Sequence, residues 1–304
     1  VRRPSPSPLA ETGDAGADGF AQGRGDGGTV LFRARSALTL APTELADLTT
    51  GALPDRWYVE TTKEGGSATF GDGHLALDGA CLGADTMYSA GCSVEFSARF
   101  GRRPHQHAGL GVDFTLVPWV AFSTKFGNSL YARTHFYLEE DERLDRSLIS
   151  ERHVFRIDWN VLDVGFFVDG AQAAHLLVPV PGFMRPLAGS FSLGEPLELE
   201  WMRLTPFRPA GEFTSRVFDA GAEVRWDGCD WEADAPAGTG VAVDVRTGPS
   251  PEPGPGWSGW AAVAEPGGAL DAVARFAQYR ARLHTTVPRA TPTLRRVTLA
   301  YAPV

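Results

Sequence analysis

The chain has no apolar run approaching the ~18 residues that mark a transmembrane helix, so no membrane span is expected. It also lacks a basic excess: 28 Lys and Arg stand against 37 Asp and Glu, a net charge of −9. A general nucleic-acid binder carries a basic face, so no nucleic acid is expected as partner. Cysteine is scarce, and Cys81, Cys92 and Cys229 form neither a CxxC nor a Cys/His pattern with zinc spacing. Cys81 and Cys92 are near enough in sequence to close a disulfide loop; they read equally well as buried free thiols. A GxSxG nucleophile elbow is missing, and no Ser/His/Asp or Cys/His nucleophile pattern stands out. No secretory leader is visible, so the expectation of an extracellular or cell-surface protein supposes one removed before Val1.

What is present is turn chemistry. With 35 Gly and 22 Pro at 43% hydrophobic content, the 304 residues suit many short strands in two globular domains. Residues 1–28 are Pro/Ser-rich and then Gly/Asp-rich, with almost no apolar side chains, and are expected to be a flexible tail. Residues 23–28 formally match GxGxxG and residues 24–26 spell Arg-Gly-Asp. The strand before and helix after that a dinucleotide site needs are not expected there. A first domain is expected over 29–210 and a second over 211–304, with the break near Pro206.

In the first domain the apolar side chains alternate. Ala108, Leu110, Val112, Phe114 and Leu116, then Val120, Phe122, Thr124 and Phe126, then Leu130, Ala132, Thr134, Phe136 and Leu138 all fall at even positions. Period two is the mark of strands with one buried face. Phe155, Ile157 and Trp159 with Phe166 and Val168 predict a hairpin, followed by a turn at Asp169-Gly170. The second domain shows six short strands over 216–219, 224–233, 241–246, 257–263, 273–283 and 294–301, separated by Pro/Gly turns.

Two resemblances follow from these residues. His153-Val154-Phe155-Arg156-Ile157-Asp158-Trp159, then Val164-Gly165-Phe166-Phe167-Val168-Asp169-Gly170, resembles the concanavalin A-like lectin/glucanase superfamily, laminin-G-type modules included. The resemblance covers roughly residues 43–207 and implies a two-sheet jelly roll whose concave face often holds glycans. In the second domain Ser215-Arg216-Val217-Phe218-Asp219-Ala220-Gly221, Val245-Arg246-Thr247-Gly248 and Gln278-Tyr279-Arg280-Ala281 resemble a sandwich repeat of bacterial secreted and fibre-like proteins. That resemblance implies an architecture and a compartment, not a reaction.

If even residues face the core, odd ones share the opposite face. These are His107, Asp113, Trp119, Ser123, Lys125, Tyr131, Arg133, His135, Tyr137 and Glu139. A three-residue loop at 127–129 pairs Phe126 with Leu130. It sets Trp119 against Tyr137, Ala121 against His135, Ser123 against Arg133, and Lys125 against Tyr131. Gly109 and Gly111 leave the neighbouring strand without bulk, an opening for a groove. Aromatic rings with a few fixed hydrogen-bonders are how sugars are held, so His107, Asp113, Trp119, Lys125, Tyr131, Arg133, His135 and Tyr137 form the candidate ligand face. The same residues also suit an exposed sheet whose charges pair across strands.

Catalysis has less support. Concanavalin A-like glycosidases carry an ExDxxE-type pattern, whereas the run Glu139-Glu140-Asp141-Glu142 reaches Leu144 where the last acid is needed. A His107 or His135 base, a Tyr131 or Tyr137 acid and an Arg133 anchor would suit a lyase instead. His105-x-His107 lacks a third metal ligand, and Asp219, Asp227 and Asp230 lack the spacing of a calcium loop, so no cofactor is assigned. Trp226 and Trp231 have opposite parity unless a bulge intervenes at Gly228; with Trp257 and Trp260 they are expected to serve core or interdomain packing. The expected protein is therefore all-β, two antiparallel β-sandwich domains, acting as an extracellular glycan-binding module. The alternatives are a homo-oligomeric structural subunit of a fibre or surface assembly, and a carbohydrate-active lyase or hydrolase.

Overall fold

The computed structural model describes residues 9–125 and 128–304. The chain is almost entirely antiparallel β, and among the described residues no helix is long and apolar enough to cross a membrane. It divides into two bodies, Pro42–Pro206 and a second made of Val1–Ala41 with Phe207–Val304.

The Pro42–Pro206 body is a sandwich of two sheets. One runs in the order Glu139–Arg143, Ser129–His135, Trp119–Lys125, Gln106–Gly111, Arg185–Ser190, Ala80–Ala84, Trp57–Thr61. The other is centred on Arg152–Trp159, Cys92–Arg99 and Leu197–Phe207. Even-numbered side chains of the first sheet's strands face the second sheet: Phe122 lies 4.8 Å from Phe155 and 5.2 Å from Phe166, centroid to centroid. Ala108, Leu110, Val120, Phe122, Leu130 and Ala132 are all fully buried there, so the alternation in the sequence marks the core face. The expected hairpin forms with Phe155 opposite Val168 and Trp159 opposite Val164, and Asp169 and Gly170 both take positive φ in the next tight turn.

In the second body the long strands Phe218–Asp234, Gly268–Thr285 and Thr293–Pro303 pair side by side around Trp226, Tyr279, Val297 and Leu299. The ladder shifts register between Trp226 and Gly228. That bulge lets Trp226 sit in the core and Trp231 pack against it despite their opposite parity.

The tail expected over 1–28 is not one from residue 9 onward; residues 1–8 lie outside the described residues. Ala10–Ala15 pairs with Thr293–Pro303, Gly16–Phe20 is a short helix that buries Phe20, and Arg24–Gly25 pairs with Ala210–Thr214. Residues 29–41 likewise belong to this body, so the first domain begins at 42 rather than 29. The segment joins by backbone hydrogen bonds and close approach, which need little apolar side chain. A Cβ at Gly13 would come within 2.0 Å of the Val297 carbonyl oxygen. Asp14, fully buried, accepts from the Tyr279 hydroxyl at 2.8 Å and from Arg216 Nε at 3.3 Å.

All three cysteines are buried. Cys81 lies in one sheet of the sandwich, donating to Glu60 Oε1 at 3.4 Å, and Cys92 in the other, donating to the Ser89 carbonyl. Burial first, and then the Glu60 carboxylate, push the Cys81 thiol up to about 12.

Candidate functional site

The outer side of the Glu139-to-Trp57 sheet is where the sequence places its candidates. Trp119 pairs with His135, Ala121 with Arg133, Ser123 with Tyr131 and Lys125 with Ser129. Each expected partner is therefore displaced by two residues. The loop centre lies one residue earlier than expected, and Asn128 takes the left-handed conformation at φ 52. A shift of two keeps every side chain on its face. Phe126 and Gly127, and with them the expected Phe126–Leu130 pair, lie outside the described residues, while Leu130 pairs with Thr124.

Four candidates form one cluster. The Trp119 ring stands edge-on to His135 at 5.5 Å, and the Arg133 guanidinium lies over it at 5.0 Å. His107 lies 6.4 Å from Trp119 and is boxed by Phe114 at 5.2 Å and Phe191 at 5.7 Å. Its Nδ1 makes a 2.8 Å hydrogen bond with Ser123 Oγ. Lys125 lies over the Tyr131 ring at 5.4 Å and pairs with Asp141. Arg133 pairs with Glu139, so the acidic edge strand Glu139–Arg143 supplies counter-charges to this face.

Two candidates do not join. Gln106–Gly111 ends before Asp113, whose Oδ1 accepts from the Thr115 amide and hydroxyl and the Leu116 amide at 2.6–2.7 Å. Partial burial works against ionisation, but those hydrogen bonds outweigh it and hold the Asp113 carboxyl below its usual range. Its role is to turn the chain. Ser129–His135 ends before Tyr137, which is 86% exposed on a loop against Phe136. The expected quartet Tyr131, Arg133, His135, Tyr137 is thus a trio.

Exposure also differs from an open platform. Trp119, His107 and Arg133 are buried by one another, whereas Tyr131, His135 and Lys125 are half-exposed. The glycines open no groove: a Cβ at Gly109 would meet the Val120 carbonyl at 2.2 Å, and the space over Gly111 is filled by Trp119 and Leu187. The Gln106–Gly111 strand pairs on its other side with Arg185–Ser190, which brings Arg185 onto the same face. Its guanidinium lies 6.0 Å from the Tyr58 ring and donates to the Tyr58 hydroxyl at 3.4 Å. Sequence reasoning missed Tyr58 and Arg185 because neither strand alternates clearly enough to be read. Arg133 Nε and Arg185 Nε are both buried with no hydrogen-bond partner among the described residues.

Burial first, then the positive charge of Arg133 and of His105, push the His107 imidazole down to about 3. It is neutral at pH 7. Its Ser123 partner is fully buried, out of reach of a substrate, and its ring neighbours are aromatic rather than a carboxylate. His105, at φ 65, precedes the strand rather than sharing a face with His107. Among the described residues no group of three His, Cys, Asp or Glu could hold a metal. Asp219 is instead clamped by Arg275, and Asp227 pairs with Arg225.

No protein-family model matches the chain, and no curated protein is significantly similar to it. Part of it is similar to solved structures. The endo-β-1,3-glucanase from Pyrococcus furiosus is 11% identical over 58% of this chain and 97% of that one, with a TM-score of 0.41. A Bacillus licheniformis β-glucanase is 13% identical over 54% and 98%, with a TM-score of 0.39. A glycosyl hydrolase family 16 protein from Mycobacterium smegmatis is 14% identical over 54% and 100%, with a TM-score of 0.40.

Proposed function

We propose that this protein is an extracellular saccharide-binding module, and that its ligand lies across Tyr131, His135 and Lys125 on the outer side of the sheet. The half-exposed rings of Tyr131 and His135 offer an apolar surface to the C–H face of a sugar. Trp119 beneath them is the brace: Arg133 stacks on it and His135 stands against it. The observation that carries the reading is the half-exposed trio itself: the Tyr131 and His135 rings and the Lys125 ammonium lie on one face of two paired strands. A hydroxyl-rich ligand with an apolar face suits two such rings beside an exposed ammonium donor. Glu139 and Asp141 already offset Arg133 and Lys125, so a neutral glycan suits this face better than a polyanion.

The test is an array of neutral and acidic oligosaccharides probed with the wild-type chain and with a Tyr131→Ala/His135→Ala double variant. At least one neutral glycan should bind the wild type and lose about tenfold or more in affinity in the double variant. A silent array, or binding that the double variant leaves intact, defeats this assignment.

A further inference from the structure

The second body holds Trp257 and Trp260, expected to serve core or interdomain packing, on a loop rich in Gly and Pro, and neither belongs to the buried core of that body. Both are half-buried, stacked with arginines on the outside of the sheet. The Arg246 guanidinium lies 5.4 Å from the Trp257 ring and 4.4 Å from that of Trp260, and Arg280 lies 4.9 Å from Trp260 on the neighbouring strand. The Trp257 ring rests directly on Gly248, where a Cβ would come within 2.3 Å of it. Its indole N–H donates to Ser250 Oγ at 3.2 Å, and Ser258 Oγ accepts from the Thr247 amide at 3.0 Å. A loop that composition alone would leave loose is fastened at three points.

The fastened loop walls a cavity of about 670 Å³, lined among others by Trp257, Pro249, Val273, Thr247, Glu223 and Arg275. That volume falls within the ~300–1,000 Å³ range of small-molecule sites. Arg275 is held in place by Asp219, its Nε and Nη2 donating to the two carboxylate oxygens at 2.8 and 2.9 Å, a clamp that does not use Nη1. Glu223 supplies an exposed carboxylate on the same lining.

These groups select by charge. An anion would meet Glu223, and an organic cation would meet Arg275 and the arginines behind the tryptophans. A purely apolar ligand would strip water from Glu223 and Arg275 without replacing it. A neutral, hydroxyl-rich ligand with one apolar face satisfies all of them, its hydroxyls donating to Glu223 and accepting from Arg275 while its C–H face lies against Trp257 and Val273. We infer that this cavity is a second saccharide site, for a neutral unit of about two sugar rings, on a body separate from the first. It rests on none of the residues of the sheet face.

The experiment is calorimetric titration of the full chain with neutral disaccharides: cellobiose, laminaribiose, xylobiose, chitobiose and maltose. The Tyr131→Ala/His135→Ala background removes the first site. At least one disaccharide should bind that background, with affinity reduced about tenfold by Trp257→Ala and by Glu223→Gln. Glu223→Gln is the decisive variant because it leaves the Trp257 fastening untouched. No binding to the background up to about 10 mM, or binding that Glu223→Gln leaves unchanged, overturns the assignment. Either result leaves the test of the sheet face standing on its own wild-type comparison.

Discussion

His107 shows what a single side chain on this face contributes. In the unfolded chain its imidazole titrates near ~6.5, whereas in the fold burial and the charges of Arg133 and His105 depress it to about 3. As pH falls below ~6.5 the unfolded chain takes up a proton that the native chain refuses. The stability held by the neutral ring is therefore full above ~6.5 and is lost as pH falls from there toward about 3, by up to ~1.4 kcal/mol per pH unit. A His107→Gln chain keeps a polar partner for Ser123 and removes that titration. Denaturant unfolding at pH 7 and pH 5 should show a drop about 2 kcal/mol smaller in His107→Gln than in the wild type. Equal drops in the two chains would mean that His107 is protonated in the fold or exposed to water.

At the scale of elements, the alternation of side chains was legible and the register was not. Parity is written into every residue of 119–125 and 129–135, because one face must be apolar to meet Phe155 and Phe166. Register is set by the turn alone, and moving its centre by one residue slides the partners by two, a change to which parity is blind. The strand ends were hidden for a related reason. Apolar alternation continues to Leu116 and Leu138, but three hydrogen bonds to Asp113 turn the chain first, and Tyr137 falls past the last pair. Asn128 enters the second strand of this hairpin at a φ of 52, open to Asn and Gly but costly for a β-branched side chain. Asn128→Val should cost about 1–2 kcal/mol in thermal unfolding, and Asn128→Gly should stay within about 0.5 kcal/mol of the wild type. Comparable losses in both variants would place the turn elsewhere.

For the whole molecule, the two-body division was visible in outline and its membership was not. The Pro42–Pro206 sandwich is contiguous, so its pattern survives a linear reading. The second body is assembled from both ends of the chain, and a strand that pairs Ala10 with Tyr301 leaves no local mark, least of all one that reads Ala-Glu-Thr-Gly-Asp-Ala. Composition therefore points to a tail where the fold needs a strand. Removing residues 1–22 puts this to the test. The deletion takes away Phe20, which packs edge-on against Phe213 at 5.6 Å, and Asp14, the acceptor for buried Tyr279. Losing an aromatic of this kind from a core costs about 3–5 kcal/mol, and an orphaned buried hydroxyl about 1–3 kcal/mol more. In hydrogen exchange, amides of Thr293–Pro303 should lose most of their protection in the truncated chain, while those of Gln106–Gly111 in the other body keep theirs. Phe20→Ala in the full chain should reproduce part of that loss. Unchanged protection across Thr293–Pro303 after truncation would return the segment to the status of a tail.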